Sequence, residues 1–321
     1  EDIAKYKGRY DIGWNALQQE RRKRLKKLGI YNGKLARMRE DVIAPWSLSQ
    51  TELEEQIDPG ELGNAIPWAT LNAEQRAFQA GKMEVHAAMV DRMDQEIGRV
   101  MDQVAAMGQS ENTIVIFLSD NGATAEQINR GDRHTVGAPS GSADTYLALG
   151  PGWSTAANTP FSLHKHWNHE GGISTPFIVS WPAGIKSRGE LRQTPAHAID
   201  VVPTLLDLAG ANLTADYNRK KNPPVNQPPP LPGFSLVETF AGDPGWEARP
   251  FYFEHSGNRA LRLGDWKIVM RRDNDDRWEL YNITKDRAER NDLADKHPQR
   301  VAQLVQMWEK REVEFDLDAM R

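Results

Sequence analysis

The 321-residue sequence contains no cysteine, which removes disulfides, iron-sulfur clusters, cysteine-ligated zinc and a thiol nucleophile from consideration within these residues. It also lacks any run near the roughly 18 consecutive apolar residues of a membrane-spanning helix. There is no excess of positive charge: 40 Lys+Arg stand against 45 Asp+Glu, a formal net charge of -5. A chain so balanced has little with which to neutralise a phosphate backbone, so nucleic acid is not expected as a partner. The densest basic run, Arg21 to Arg24 with Lys26 and Lys27, is broken by Leu25 and followed by Leu28, as on a helix with one solvated face. Neither an initiator methionine nor a signal-peptide pattern opens the sequence, and its start at Glu1, Asp2, Ile3 reads as a piece of a longer protein. The compartment is left open, a bacterial periplasmic or exported setting being the favoured expectation.

What is present, 39% hydrophobic residues in a chain of this length, describes one sizeable globular domain with an appendage. Trp14, Leu17, Leu25 and Leu28 fall on one stripe of a helix that Gly29 stops. Val85, Met89, Met93, Ile97, Val100 and Val104 mark a second helix ending at Gly108, and a methionine-rich stripe of this kind predicts core packing. The unbroken β-branched run Thr113 to Leu118 predicts a strand buried on both faces of a parallel sheet, with further strands at Tyr146 to Leu149 and Pro176 to Trp181. Ile199 to Ala209, with Asp200 as cap and Pro203 in the first turn, predicts another helix. The expected fold class is therefore α/β, a layered sheet with helices over residues 1–222. Six prolines in ten residues from Pro223 to Pro232 predict a linker over 223–233. Residues 234–321 predict a small antiparallel meander, with strands at Phe251 to Phe253, Arg259 to Leu263, Trp266 to Met270 and Trp278 to Tyr281, covered by a helix from Pro298 to about Phe315.

Two spots carry chemistry. Ser119, Asp120, Asn121 and Gly122 stand at the carboxyl end of the first predicted strand, where open α/β sheets place ligand sites. A carboxylate beside an amide oxygen offers hard donors suited to Ca²⁺ or Mg²⁺, although an Asp-Asn-Gly turn also occurs with no ligand at all. The second spot is His164, Lys165, His166, Trp167, Asn168, His169, Glu170, Gly171 and Gly172. If the segment is extended, His164 and His166 share a face that His169 could join as a zinc site, while Lys165 points the other way as a compact charge for an oxyanion. A surface loop with solvated histidines fits the same spacing.

Taken in order along the chain, several short motifs resemble the formylglycine-dependent sulfatases of the alkaline-phosphatase-like superfamily, in their C-terminal portion. They are Lys5-Tyr6-Lys7-Gly8-Arg9-Tyr10-Asp11 with Gly13-Trp14; Phe117-Leu118-Ser119-Asp120-Asn121-Gly122; and Lys165 followed by Gly171-Gly172. Then come His197, Asp200, Pro203-Thr204 and Leu205; Gly264-Asp265-Trp266-Lys267; Trp278-Glu279-Leu280-Tyr281; and Glu289-Arg290-Asn291-Asp292-Leu293. Leu149-Gly150-Pro151-Gly152-Trp153 and Lys165-His166-Trp167 make the bacterial arylsulfatase branch the nearest match.

The resemblance implies that Asp120 and Asn121 are metal ligands, usually for Ca²⁺, with Mg²⁺ as the alternative, and that Lys165 contacts the sulfate group and so serves catalysis and substrate binding together. It displaces the zinc reading of the three histidines. His197, which precedes a helix expected to pack on the sheet, is expected to be structural, and His255 has no role assigned. Trp46, Trp68, Trp153 and Trp167 could wall the pocket for an aryl or sugar group, but core or linker packing is the expectation. The family nucleophile is a formylglycine made from Cys/Ser-x-Pro-x-Arg, and this sequence has neither that motif nor a cysteine. By resemblance the nucleophile, the paired aspartates and a second lysine belong to a missing N-terminal segment of the same protein, so the chain alone is expected to be inactive. The implied substrate is a small sulfate ester or a sulfated glycan, attacked at sulfur by the hydrated aldehyde. A phosphatase or phosphonate-ester hydrolase of the same superfamily, or a non-catalytic module for sulfated ligands, are the alternatives.

Overall fold

The computed structural model describes residues 1–128, 131–211 and 232–319. The proline-rich stretch falls almost wholly outside them. In chain order the helices are α1 Asp2–Tyr6, α2 Gly13–Lys27, α3 Gln50–Gln56, α4 Ala73–Ala106, α5 Gly150–Ala157, α6 Glu170–Ile173, α7 Val201–Leu208 and α8 Pro298–Ala319. The strands are β1 Val115–Leu118 and β2 Phe177–Ser180 in one sheet, and β3 Pro250–His255, β4 Asn258–Leu263, β5 Trp266–Met270 and β6 Trp278–Asn282 in another. The fold is α/β, as expected, with short 3-10 turns between elements. No described helix is long and apolar enough to cross a membrane.

The N-terminal core is built on tryptophan. Trp14 of α2, Trp153 of α5 and Trp68 meet edge to face or tilted, with ring centroids 4.7 to 5.7 Å apart, and Trp14 and Trp153 are fully buried. Their indole N–H groups are satisfied by the carbonyls of Ile66 and Gln79, which is what permits such burial. Gly152 is required where α5 crosses α2, because a Cβ there would lie 2.8 Å from the Trp14 ring. The basic run of α2 lies on its solvated side, as its spacing predicts.

Three expectations fail. First, β1 pairs antiparallel with β2, in register Leu118 with Phe177 and Val115 with Ser180, and it is not buried on both faces. Phe117 is 43% and Ile178 57% exposed, since a described two-stranded ribbon has too little area to cover either face. A β-branched run fixes the strand but not the direction of its neighbour. Second, Tyr146 to Leu149 is not a strand; it is the irregular lead into α5, with Leu149 already at helical φ and ψ. Third, the methionine stripe is not core. The first half of α4 buries Ala80, Met83, Ala87 and Ala88, whereas Met89, Met93, Ile97 and Val100 are exposed as the helix runs past the packed body. Apolar spacing specifies a face, not that another element covers it.

The C-terminal unit follows its prediction closely. β3 to β6 form an antiparallel meander, and α8 lies on one face against Leu261, Ile268 and Leu280 through Leu304 and Trp308. Strand alternation turns Lys267, Val269, Glu279 and Tyr281 to the opposite face. A fully buried lysine there decides how this unit attaches to the rest.

Candidate active site

The segment after β1 and the segment before α6 are sewn together backbone to backbone. The Gly122 N–H donates to the Gly172 carbonyl at 2.9 Å, and the Lys165 N–H to the Ala123 carbonyl at 3.0 Å. Asn158, at the end of α5, adds a side-chain stitch: its Oδ1 accepts from the Ala123 N–H at 2.7 Å, and its Nδ2 donates to the carbonyls of Ala123 and Leu163, each at 3.1 Å. The approach is so close that Cβ atoms are excluded. A methyl at Gly122 would sit 1.8 Å from the Gly171 carbonyl oxygen, and one at Gly172 would sit 1.9 Å from that of Trp167. Gly122→Ala is therefore expected to push the two segments apart and cost about 1–3 kcal/mol of stability, as overpacking does. Urea unfolding of the variant checks this, and an unchanged midpoint would mean the contact is not maintained in solution.

This sewing brings Asp120, Asn121 and Lys165 to the wall of one open cleft of about 1290 Å³. Among the described residues neither side chain of the Asp120-Asn121 pair has a hydrogen-bond partner, and both residues line the cleft. Lys165 is exposed and makes no ion pair among the described residues. A cation held by the first two and the ammonium of the third would together attract a tetrahedral oxyanion.

The histidines do not converge. His164 is buried with Nδ1 2.6 Å from Ser154 Oγ, and that burial pushes its pKa down to about 4, so it is neutral near pH 7. His169 is buried with Nε2 3.1 Å from Glu279 Oε2, and His166 Nε2 accepts from Asn258 Nδ2 at 3.1 Å. The expected alternation of an extended segment is absent because Leu163 at φ 64° and His166 at φ 93° turn the chain. Among the described residues no group of three or more metal-ligating side chains of the His, Cys, Asp and Glu types comes together. His197 accepts from the Ile199 N–H and packs on Phe251 and Phe253, a structural placement. Asp200 occupies the position before α7, but its buried carboxylate is not spent on that helix: it accepts from the His197 and Phe234 N–H groups and from both terminal nitrogens of Arg249.

Sequence reasoning did not find what holds the Lys165 segment from behind. Lys267 Nζ, fully buried, bridges Glu170 at 3.0 Å and Glu289 at 2.9 Å, and Arg287 reaches Glu170 at 3.2 Å. Burial raises the Glu170 pKa, but the charges of Lys267 and then Arg287 outweigh it and hold the carboxyl below its usual range. For Glu289 burial dominates, and its pKa is raised. The signal was present, since a lysine between Trp266 and Ile268 in a buried strand needs a partner, but the partners are more than 90 residues away for Glu170 and 22 for Glu289. Of the four tryptophans considered as pocket walls, Trp68, Trp153 and Trp167 are core as expected, while Trp46 is 67% exposed.

An α/β fold whose cleft gathers two hard oxygen donors and an unpaired ammonium fits the alkaline-phosphatase-like superfamily. The sulfatase family model matches residues 5–211, and a model for the C-terminal region of N-sulphoglucosamine sulphohydrolase matches 161–314. The chain belongs to the sulfatase family. It is 30% identical over 324 aligned residues to an uncharacterized sulfatase of Schizosaccharomyces pombe, covering 96% of this chain and 53% of that protein. It is also 30% identical over 231 residues to an arylsulfatase of Klebsiella aerogenes, covering 68% of this chain and 44% of the relative. The chain thus spans about half the length of these relatives. In fold it resembles the crystal structure of Ps i-CgsB in complex with k-i-k-neocarrahexaose, with a TM-score of 0.53 at 20% identity over 96% of this chain and 59% of that one.

Proposed function

We propose that these residues form the sulfate-holding part of an arylsulfatase-type hydrolase, which cleaves a sulfate ester once a formylglycine nucleophile from outside these 321 residues is supplied. The observation that supports this reading is the direct joining of the Asp120-Asn121 turn to the Lys165 turn, which puts a carboxylate, an amide and an ammonium on one cleft. Asp120 and Asn121 fit a hard divalent cation in donor chemistry, neither oxygen having a hydrogen-bond partner among the described residues, and Ca²⁺ is proposed with Mg²⁺ as the alternative. Such an ion, when bound, supplies charge neutralisation at the non-bridging sulfate oxygens. Lys165 donates to the same group of oxygens, and the hydrogen bond from its backbone N–H to Ala123 holds the turn that carries it. His164, neutral and hydrogen-bonded to Ser154, supports the turn and leaves the positive charge to Lys165.

Two ligands cannot satisfy an ion that takes about six to eight oxygens, so this chain is expected to bind Ca²⁺ weakly, with water filling the remaining positions. Calorimetry should show that Asp120→Ala abolishes this binding and Asn121→Ala weakens it. Unchanged affinity in both variants would remove the metal role of the turn.

A further inference from the structure

The sequence contains two Asn-Gly pairs, Asn32-Gly33 and Asn121-Gly122, and both asparagines line the same cleft. Asparagine is a chemically labile side chain, and a following glycine makes it more so, because without a Cβ the glycine nitrogen can swing onto the asparagine Cγ. In that step a bond forms from the glycine nitrogen to Cγ, the bond from Cγ to Nδ2 breaks, and the displaced proton leaves with ammonia. Water then opens the cyclic imide at either carbonyl, giving aspartate or isoaspartate. The only co-reactant is water, and a neutral amide has become a carboxylate. The attack needs a glycine nitrogen released from hydrogen bonding and a peptide plane able to rotate.

The two pairs meet those needs in opposite ways. At Asn121-Gly122 the attacking nitrogen is spent on the Gly172 carbonyl at 2.9 Å, the next N–H, of Ala123, donates to Asn158 Oδ1 at 2.7 Å, and the Asn121 carbonyl accepts from Ser119 Oγ at 2.9 Å. Nor is there room to turn, since the space a Cβ of Gly122 would take ends 1.8 Å from the Gly171 carbonyl oxygen. Asn32 is exposed in an irregular loop that is held at its carbonyls, Gly33 by Arg22 Nε at 2.9 Å and Lys34 by the Tyr31 hydroxyl at 2.6 Å. Among the described residues neither the Asn32 side chain nor the Gly33 N–H has a hydrogen-bond partner. From this contrast we infer that Asn32 is a site of spontaneous covalent modification, converting to aspartate or isoaspartate on the cleft wall, and that the backbone joint between the Asp120 and Lys165 turns also protects Asn121 from the same fate. The joint thereby has a chemical role besides its geometric one.

The test incubates the 321-residue chain at mildly alkaline pH and follows each pair by peptide mapping in a mass spectrometer, where conversion adds one mass unit. In the folded chain Asn32 should convert, and Asn121 should convert about tenfold more slowly or less, because at least one hydrogen bond must open first. In urea the two rates should become similar, each pair then lying in an open chain. Asn158→Ala removes the side-chain clasp on Ala123 and should speed conversion of Asn121 while leaving Asn32 unchanged. Asn32 unconverted in the folded chain but converted in urea would overturn the assignment of Asn32. Equal rates in the folded chain, an Asn121 that stays slower in urea, or an unchanged Asn121 rate in a folded Asn158→Ala chain would overturn the protective role of the joint. Amide spectra show whether that variant folds, and if it does not, the comparison of the unaltered chain with and without urea decides.

Discussion

Lys165→Ala, made in a sulfatase completed by a formylglycine-bearing N-terminal half, is expected to lower kcat/KM for an aryl sulfate by about 30- to 1000-fold, or roughly 2–4 kcal/mol of transition-state stabilisation. The backbone of the Lys165 turn is held by Ala123, Asn158 and Asn258, none of which contacts the lysine side chain, so the variant should keep its fold and its metal affinity. His166→Ala should cost much less, because the imidazole is already tied to Asn258. The pair of kcat/KM values against one aryl sulfate is the measurement. A larger loss for His166→Ala than for Lys165→Ala would reverse the assignment and bring back a histidine-centred site.

The 321-residue chain alone should hydrolyse 4-nitrophenyl sulfate no faster than a matched blank containing Ca²⁺. Positioned charge lowers a barrier only when a nucleophile is there to use it, and these residues include no cysteine and no Ser-x-Pro-x-Arg from which a formylglycine could form. Three of the histidines are otherwise engaged: His164 and His169 are buried against Ser154 and Glu279, and His197 is packed on two phenylalanines. Turnover that persists through rigorous repurification would contradict both the proposed mechanism and the need for an external nucleophile.

Much of the candidate site was legible in the sequence because the residues proposed for it sit where local chemistry marks them. Asp120 and Asn121 follow a β-branched run at a glycine turn, and Lys165 precedes a Gly-Gly pair that only a close backbone approach explains. The residues that position them were not legible, since each acts at long sequence distance. Asn258 reaches back 92 residues to His166, and Lys267 reaches 97 to Glu170. A hairpin asparagine and a strand lysine have many ordinary roles, and nothing in their spacing selects these.

By itself the sequence determined that this is an α/β protein with a C-terminal antiparallel meander, where the strands of that meander and the helices α2, α7 and α8 fall, and which residues, Asp120, Asn121 and Lys165, are the candidates for the site. Periodicity and turn chemistry act over a few residues, which is why those elements could be read directly. Only the tertiary structure decided which apolar faces are covered: it left the stripe of α4 exposed beyond Ala88 and made β1 a partly exposed antiparallel partner of β2. It also decided that the three histidines point to three different partners and that His255, assigned no role by its neighbours in sequence, stands beside His166. Burial and side-chain direction depend on what packs from elsewhere in the chain, and a one-dimensional pattern carries the preference for a partner without its identity.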